Sequence, residues 1–87
     1  MGQENKLEKV LNVLREAYFK KDLELLYYAK FRYQEMLRAM ERLLPYEYTK
    51  LYTSDLNKFE IKELLNKTEF YLYKISVEKM EVNYGQA

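Results

Sequence analysis

The residues of this chain that could do chemistry are carboxylates on predicted helices. Glu60 and Glu63, and later Glu78 and Glu81, stand three positions apart. That spacing places two carboxylates on one face of a helix, where they could in principle hold a metal ion. Each pair has a lysine beside it, an arrangement typical of a solvated helix face with weak ion pairs. The sequence therefore predicts no metal site.

Other catalytic chemistry has little support. The chain has no cysteine and no histidine, which removes the thiol nucleophile, the thiolate zinc ligand and the commonest general base. Its only glycines, Gly2 and Gly85, are near the ends and form no phosphate-binding loop. Asp22 and Asp55 are predicted helix caps. We expect a protein that is not an enzyme, with no cofactor and no evident small-molecule ligand.

Composition limits the fold. At 87 residues, with 48% hydrophobic and 33% charged residues, positions 1–87 are expected to form one globular domain. Two glycines and one proline are too few for the frequent turns of an all-β protein. The prediction is an all-α fold, a small bundle of three long helices plus a possible short helix near Tyr46–Tyr52.

Charge and hydropathy set expectations about partners. Fifteen basic and fourteen acidic residues give a net charge of +1, unlike the strongly basic character of most nucleic-acid-binding domains. No apolar run approaches the roughly 20 residues of a membrane-spanning helix, and no signal-peptide core is present. We therefore expect a soluble, cytoplasmic protein without membrane partners. Abundant Lys, Glu and Tyr without Cys or His is a bias typical of thermophile proteins.

The first half of the chain is predicted to be a helical hairpin. Asn5 and Glu8 have the spacing of a capping box, so a first helix should begin there. A break is predicted at Lys20–Lys21, with Asp22 capping the second helix. The alternative is one unbroken helix of about 40 residues, roughly 60 Å long, which would need a partner chain to bury its apolar stripe.

The second half is predicted to contain a short and a long helix. The second helix should span Leu23–Leu44 and end at the single proline. A short helix is expected over Tyr46–Tyr52 and a turn over Thr53–Asp55. The last helix should begin near Ser54–Asn57 and run to about Asn83.

The segment Ile61–Met80 resembles the helix-turn-helix pattern of DNA-binding proteins. Asn66 and Glu69 have capping-box spacing, so a second helix could start within the segment. The pattern's usual turn glycine is replaced by Glu69, and an expected apolar position is occupied by Glu78. The resemblance implies a dimeric DNA-binding protein or transcriptional regulator. Its DNA contacts would come from Lys67, Tyr71, Lys74, Ser76 and Lys79.

A single continuous helix explains the same segment. Seven mostly apolar residues lie on one face of such a helix. Their helical spacing continues unchanged through Asn66–Glu69, whereas a turn there would normally shift it. These residues are Ile61, Leu64, Leu65, Thr68, Leu72, Ile75 and Val82. A kinked helix without a DNA role is a third possibility.

Ten tyrosines are the most unusual feature of the composition. On two helices they help to form a second apolar stripe, which a three-helix core of this size cannot fully bury. On the second helix the stripe comprises Tyr27, Tyr28 and Phe31. On the last helix it comprises Phe70, Tyr73, Val77, Met80 and Tyr84.

Three interpretations of the tyrosines remain open. They could line the edge of the core with their hydroxyls at the rim, form a surface for a protein partner or a second copy, or stack single-stranded nucleic acid. We expect a non-catalytic accessory or adaptor protein that docks on a partner, plausibly within a replication, repair or transcription assembly. The predicted interface residues are Tyr27, Tyr28, Phe31, Tyr46, Tyr48, Tyr52, Tyr71 and Tyr73.

Overall fold

Four helices make up the structure, a computed structural model that describes residues 5–52 and 56–85, with side chains up to position 80. They are α1 (Lys6–Phe19), α2 (Leu23–Arg42), α3 (Pro45–Leu51) and α4 (Lys58–Gly85). No strand occurs in these two ranges. The predicted all-α fold of three long helices and one short helix is confirmed.

The first two helices form the predicted hairpin. Asn5 caps α1 by accepting a hydrogen bond from the backbone N–H of Leu7 at 2.9 Å. After α1, Lys21 adopts a left-handed backbone conformation with φ 57°. The N–H of Asp22 then returns to the carbonyl of Ala17 at 2.8 Å, which closes a Schellman-type helix end. The alternative of one unbroken helix of about 40 residues is wrong.

Proline sets the boundary between α2 and α3. Leu44 is extended, with ψ 154°, because the ring of Pro45 disfavours a helical residue before it. Consequently α2 ends at Arg42, two residues before the predicted end at Leu44. The carboxylate of Glu47 accepts the Leu44 N–H at 2.9 Å and so caps α3. The turn predicted at Thr53–Asp55 lies outside the described residues.

The last helix is continuous. Asn57 and Glu60 exchange side-chain hydrogen bonds with each other's backbone N–H at 2.8 and 2.9 Å, a capping box that starts α4. From Lys58 the helix runs without interruption through Asn66–Glu69 to Gly85. The turn that a helix-turn-helix requires is absent from this segment, so the continuous-helix prediction is confirmed.

Helix α4 packs against both α1 and α2 and forms most of the core with them. One buried cluster joins α1, α2 and α4, and comprises Leu14, Ala17, Tyr18, Leu26, Ala29, Leu64, Tyr71 and Ile75. A smaller cluster joins α2, α3 and α4, and comprises Met36, Tyr48 and Ile61. The buried hydroxyl of Thr68 donates to the Leu64 carbonyl at 2.7 Å, so it enters the core without an unpaired polar atom.

No helix in the described part of the chain is long and apolar enough to cross a membrane.

Candidate protein-binding surface

Three aromatic residues lie side by side on the outer face of α2 and form what we call the α2 aromatic face: Tyr27, Tyr28 and Phe31. Their exposed fractions are 46%, 64% and 58%. The rings of Tyr27 and Phe31 stack with centroids 6.3 Å apart. Helical spacing explains the arrangement, because the buried Leu26 and Ala29 turn toward α1 and α4 and leave these three positions on the opposite side.

The same side of α2 becomes basic toward its C-terminus. Glu35, Arg38 and Arg42 continue the helical spacing from Phe31 and line a shallow groove with Tyr52 and neighbouring residues. The groove has a volume of about 350 Å³. Arg38 and Arg42 are exposed. The outer side of α2 therefore combines an aromatic half with a half that has two arginines and one glutamate.

The tyrosines of α3 differ from one another. Tyr46 is exposed, and the ammonium group of Lys50 lies 5.8 Å from the centre of its ring. Tyr48 is only 6% exposed and stacks on the partly buried Tyr52 with ring centroids 5.0 Å apart. The ring of Tyr48 is therefore already in the core, which leaves little of it for the predicted interface.

The hydroxyl of Tyr48 is an exception to the pairing of buried polar groups. It is buried without a hydrogen-bond partner among the described residues. Burial raises the pKa of this hydroxyl above its usual value, and the nearby Tyr52 raises it further. Tyr48 belongs to the smaller core cluster, so its hydroxyl lies among apolar side chains.

The two predicted interface tyrosines of α4 are separated by the fold. Tyr71 is buried and stacks on Tyr18 of α1, with ring centroids 5.0 Å apart and planes 16° from parallel. It is a core residue, so little of its ring is exposed to a protein partner or to DNA. Tyr73 is 67% exposed, but it lies on the outer side of α4, away from the α2 aromatic face.

The residues predicted to contact DNA do not form one surface. Lys67 and Lys74 lie toward α1, where the Lys74 ammonium is 5.4 Å from the centre of the Tyr18 ring. Ser76 and Lys79 are exposed, but at 100° per residue Ser76 is roughly 160° around the helix from Lys74. A continuous α4 therefore disperses the candidate DNA contacts.

Two of the four candidate metal ligands have other roles. Glu60 caps α4, and Glu78 accepts hydrogen bonds from the Tyr18 hydroxyl at 2.5 Å and from Lys21 at 2.6 Å. These two donors hold the pKa of the Glu78 carboxyl below its usual value. The side chain of Glu81 lies outside the described residues. Within the described residues no group of three possible metal ligands comes together.

A second exposed apolar surface lies on α4, and we call it the α4 outer stripe: Phe70, Tyr73, Val77 and Met80. Phe70, Tyr73 and Met80 are between 49% and 67% exposed, and Val77 is partly buried. The sequence shows this stripe through its spacing of three, four and three residues. Of its members, however, only Tyr73 is among the predicted interface residues.

Comparison of the chain with protein-family models, with curated proteins and with solved structures finds no match in any of the three.

Proposed function

We propose that this protein is a non-catalytic accessory protein that binds a partner protein through the α2 aromatic face. The observation that supports the proposal is the exposure of three adjacent aromatic side chains on one rigid helix. Tyrosine and phenylalanine are enriched in protein interfaces, where a few large side chains supply most of the binding energy. A helix also holds them in place before binding, which lowers the entropic cost of association.

The exposure of these rings argues against a role at the edge of the core. A tyrosine at the edge buries its ring and leaves its hydroxyl in water. Tyr28 is 64% exposed and Phe31 is 58% exposed, so much of each ring is in solvent. Phe31 has no hydroxyl that would account for its position. Binding to a partner would remove this apolar area from water.

The charges beside the α2 aromatic face predict the surface chemistry of the partner. Arg38 and Arg42 follow the aromatic residues along the same side of α2, which they share with Glu35. Glu41 lies about 100° around the helix from Arg42. A complementary partner has an apolar groove for the rings and acidic side chains at the end that meets the arginines. By analogy with other small helical subunits, we extend the proposal to subunits of replication, repair or transcription assemblies.

The test compares two double variants as bait in a nuclease-treated lysate of the source organism. Tyr27→Ser with Phe31→Ser removes the two stacked rings of the face. Tyr46→Ser with Phe59→Ser is the matched control, since both residues are exposed aromatics on other helices. We expect the unmodified protein and the control to retain one stoichiometric partner protein, and the α2 variant to retain at least about tenfold less.

Circular dichroism must show that the α2 variant stays as helical as the unmodified protein. The proposal is wrong if the α2 variant retains the partner at the unmodified level, if the control loses it equally, or if nuclease releases all bound material. Purified partner, once identified, should bind with reduced affinity to Arg38→Glu with Arg42→Glu, because the acidic side chains would then meet like charges.

A further inference from the structure

The α4 outer stripe has the spacing of a coiled-coil seam. Phe70, Tyr73, Val77 and Met80 follow one another at intervals of three, four and three residues, which are the a and d positions of a heptad. They lie on the side of α4 opposite to the buried Leu64, and the described part of the chain leaves Phe70, Tyr73 and Met80 largely in solvent. Helix α4 therefore has one seam packed within the protein and a second seam that the described residues leave exposed.

The charges beside the seam are complementary to those of an identical seam. With Phe70 and Val77 at a positions, Glu69 takes position g and Lys74 takes position e. In a parallel pair of helices, position g of one chain faces position e of the next heptad in the other. Glu69 of each copy would then face Lys74 of the other. Glu69 has no ion-pair partner within the described residues, so it is available for this contact.

The same charges disfavour an antiparallel pair. In that arrangement the e positions face one another, and Lys74, the e position within Phe70–Met80, would face Lys74 of the other copy. Like charges would be brought together on one flank while Glu69 would lose its cationic partner. The parallel arrangement is therefore the one that the charges support.

We propose that two copies of this protein associate through the α4 outer stripes as a parallel, twofold-symmetric dimer. The same patch contacts itself across the axis, as twofold symmetry requires. The α2 aromatic face stays accessible in this dimer, because α2 and α4 pack against each other and their outer sides point away from each other. One dimer would present two α2 faces to its partners.

Sedimentation equilibrium of the purified full chain, from roughly 10 µM to 1 mM, tests the dimer. We expect the mass to rise toward twice the 10.7 kDa of the monomer. Tyr73→Glu should keep the protein monomeric over this range, because it places a charge at the centre of the seam. Tyr28→Glu is the control, with nearly the same exposure but on α2, and should associate like the unmodified protein.

Charge reversal and crosslinking test the orientation. Glu69→Lys alone should weaken the dimer at least about threefold, and Glu69→Lys with Lys74→Glu should restore it because the charges pair again. The chain has no cysteine, so Tyr73→Cys introduces a single thiol. In a parallel dimer the two thiols meet and should oxidise to a covalent dimer, whereas Tyr28→Cys should not.

A monomer at every concentration overturns the proposal, as does an oligomer that Tyr73→Glu leaves intact. Absence of the Tyr73→Cys crosslink in a protein that does dimerise overturns the parallel arrangement. Partner binding is measured separately: an unmodified protein that captures the α2 partner but stays monomeric refutes the dimer alone and leaves the proposed partner binding intact. Capture of another protein through the α4 outer stripe, with no self-association, would also contradict the dimer.

Discussion

Lys21 and Glu78 are 57 residues apart in the chain, and their side chains meet at 2.6 Å. Lys21 is in the left-handed turn between α1 and α2, and Glu78 is on α4. Glu78 also accepts a hydrogen bond from the Tyr18 hydroxyl at 2.5 Å. A carboxylate in the position where the helix-turn-helix pattern expects an apolar residue thus fastens the hairpin to the long helix.

This contact predicts a pH-dependent stability. The bonds from Lys21 and Tyr18 lower the pKa of Glu78 below 4.5, so their stabilisation is fully present above 4.5 and is lost as the pH falls through the lowered pKa. The bond to Glu78 raises the pKa of Lys21 above 10.5. At alkaline pH the same stabilisation is therefore lost as the pH rises through that raised pKa. Glu78→Gln should therefore lower the thermal midpoint most between these limits.

Thermal melts of Glu78→Gln and of the unmodified protein across the pH range provide the measurement. Glu63→Gln, the same charge change elsewhere on α4, is the control and should show little dependence on pH. A Glu78→Gln deficit that persists unchanged in strong acid would contradict an ionic origin.

The continuity of α4 predicts opposite effects for two asparagines. Asn57→Ala removes the cap that starts α4 and should cost about 0.5–2 kcal/mol of the free energy of unfolding. Asn66→Ala lies inside the helix and should be neutral or stabilise it by up to about 0.7 kcal/mol, because alanine is the better helix former. Chemical denaturation measures both, and a cost of about 1 kcal/mol or more at Asn66 would indicate that this residue caps a second helix.

The Tyr48 hydroxyl has no hydrogen-bond partner among the described residues, so its removal should not lower stability. Tyr48→Phe keeps the ring in the core and removes a buried polar atom without a described partner. We expect the free energy of unfolding to stay equal or to rise by up to about 1 kcal/mol. Tyr18→Phe is the contrasting variant, because it breaks the bond to Glu78 and should destabilise the protein. A clear loss of stability in Tyr48→Phe would show that its hydroxyl does have a partner.

The dispersed cations of α4 predict weak binding to DNA. The net charge is only +1, and Lys74 and Lys79 are roughly 140° apart around α4, so these two cations do not form one basic surface. Fluorescence anisotropy with duplex DNA near physiological salt should therefore show a Kd weaker than about 10⁻⁴ M, the weak end of the range typical of non-specific DNA binding. Tight binding that falls steeply with salt would contradict this and would support a DNA-binding function.

The sequence by itself determined the helices and most of their ends. The caps at Asn5 and Asp22 act through neighbours at most three residues away, and Pro45 restricts the residue before it. Such interactions are local, so spacing and residue type are enough to predict them. The unchanged phase of the apolar stripe likewise predicted a continuous α4 through Asn66–Glu69, and the structure has it.

Only the tertiary structure decided which tyrosines are available to a partner. Tyr71 and Tyr73 are two positions apart, yet one stacks on Tyr18 in the core and the other is in solvent. Tyr48 and Tyr46 show the same contrast on α3. Tyrosine is compatible with both environments, and its burial depends on which helix packs against it. That neighbour is fixed by contacts between residues far apart in the chain, which helical spacing alone does not specify.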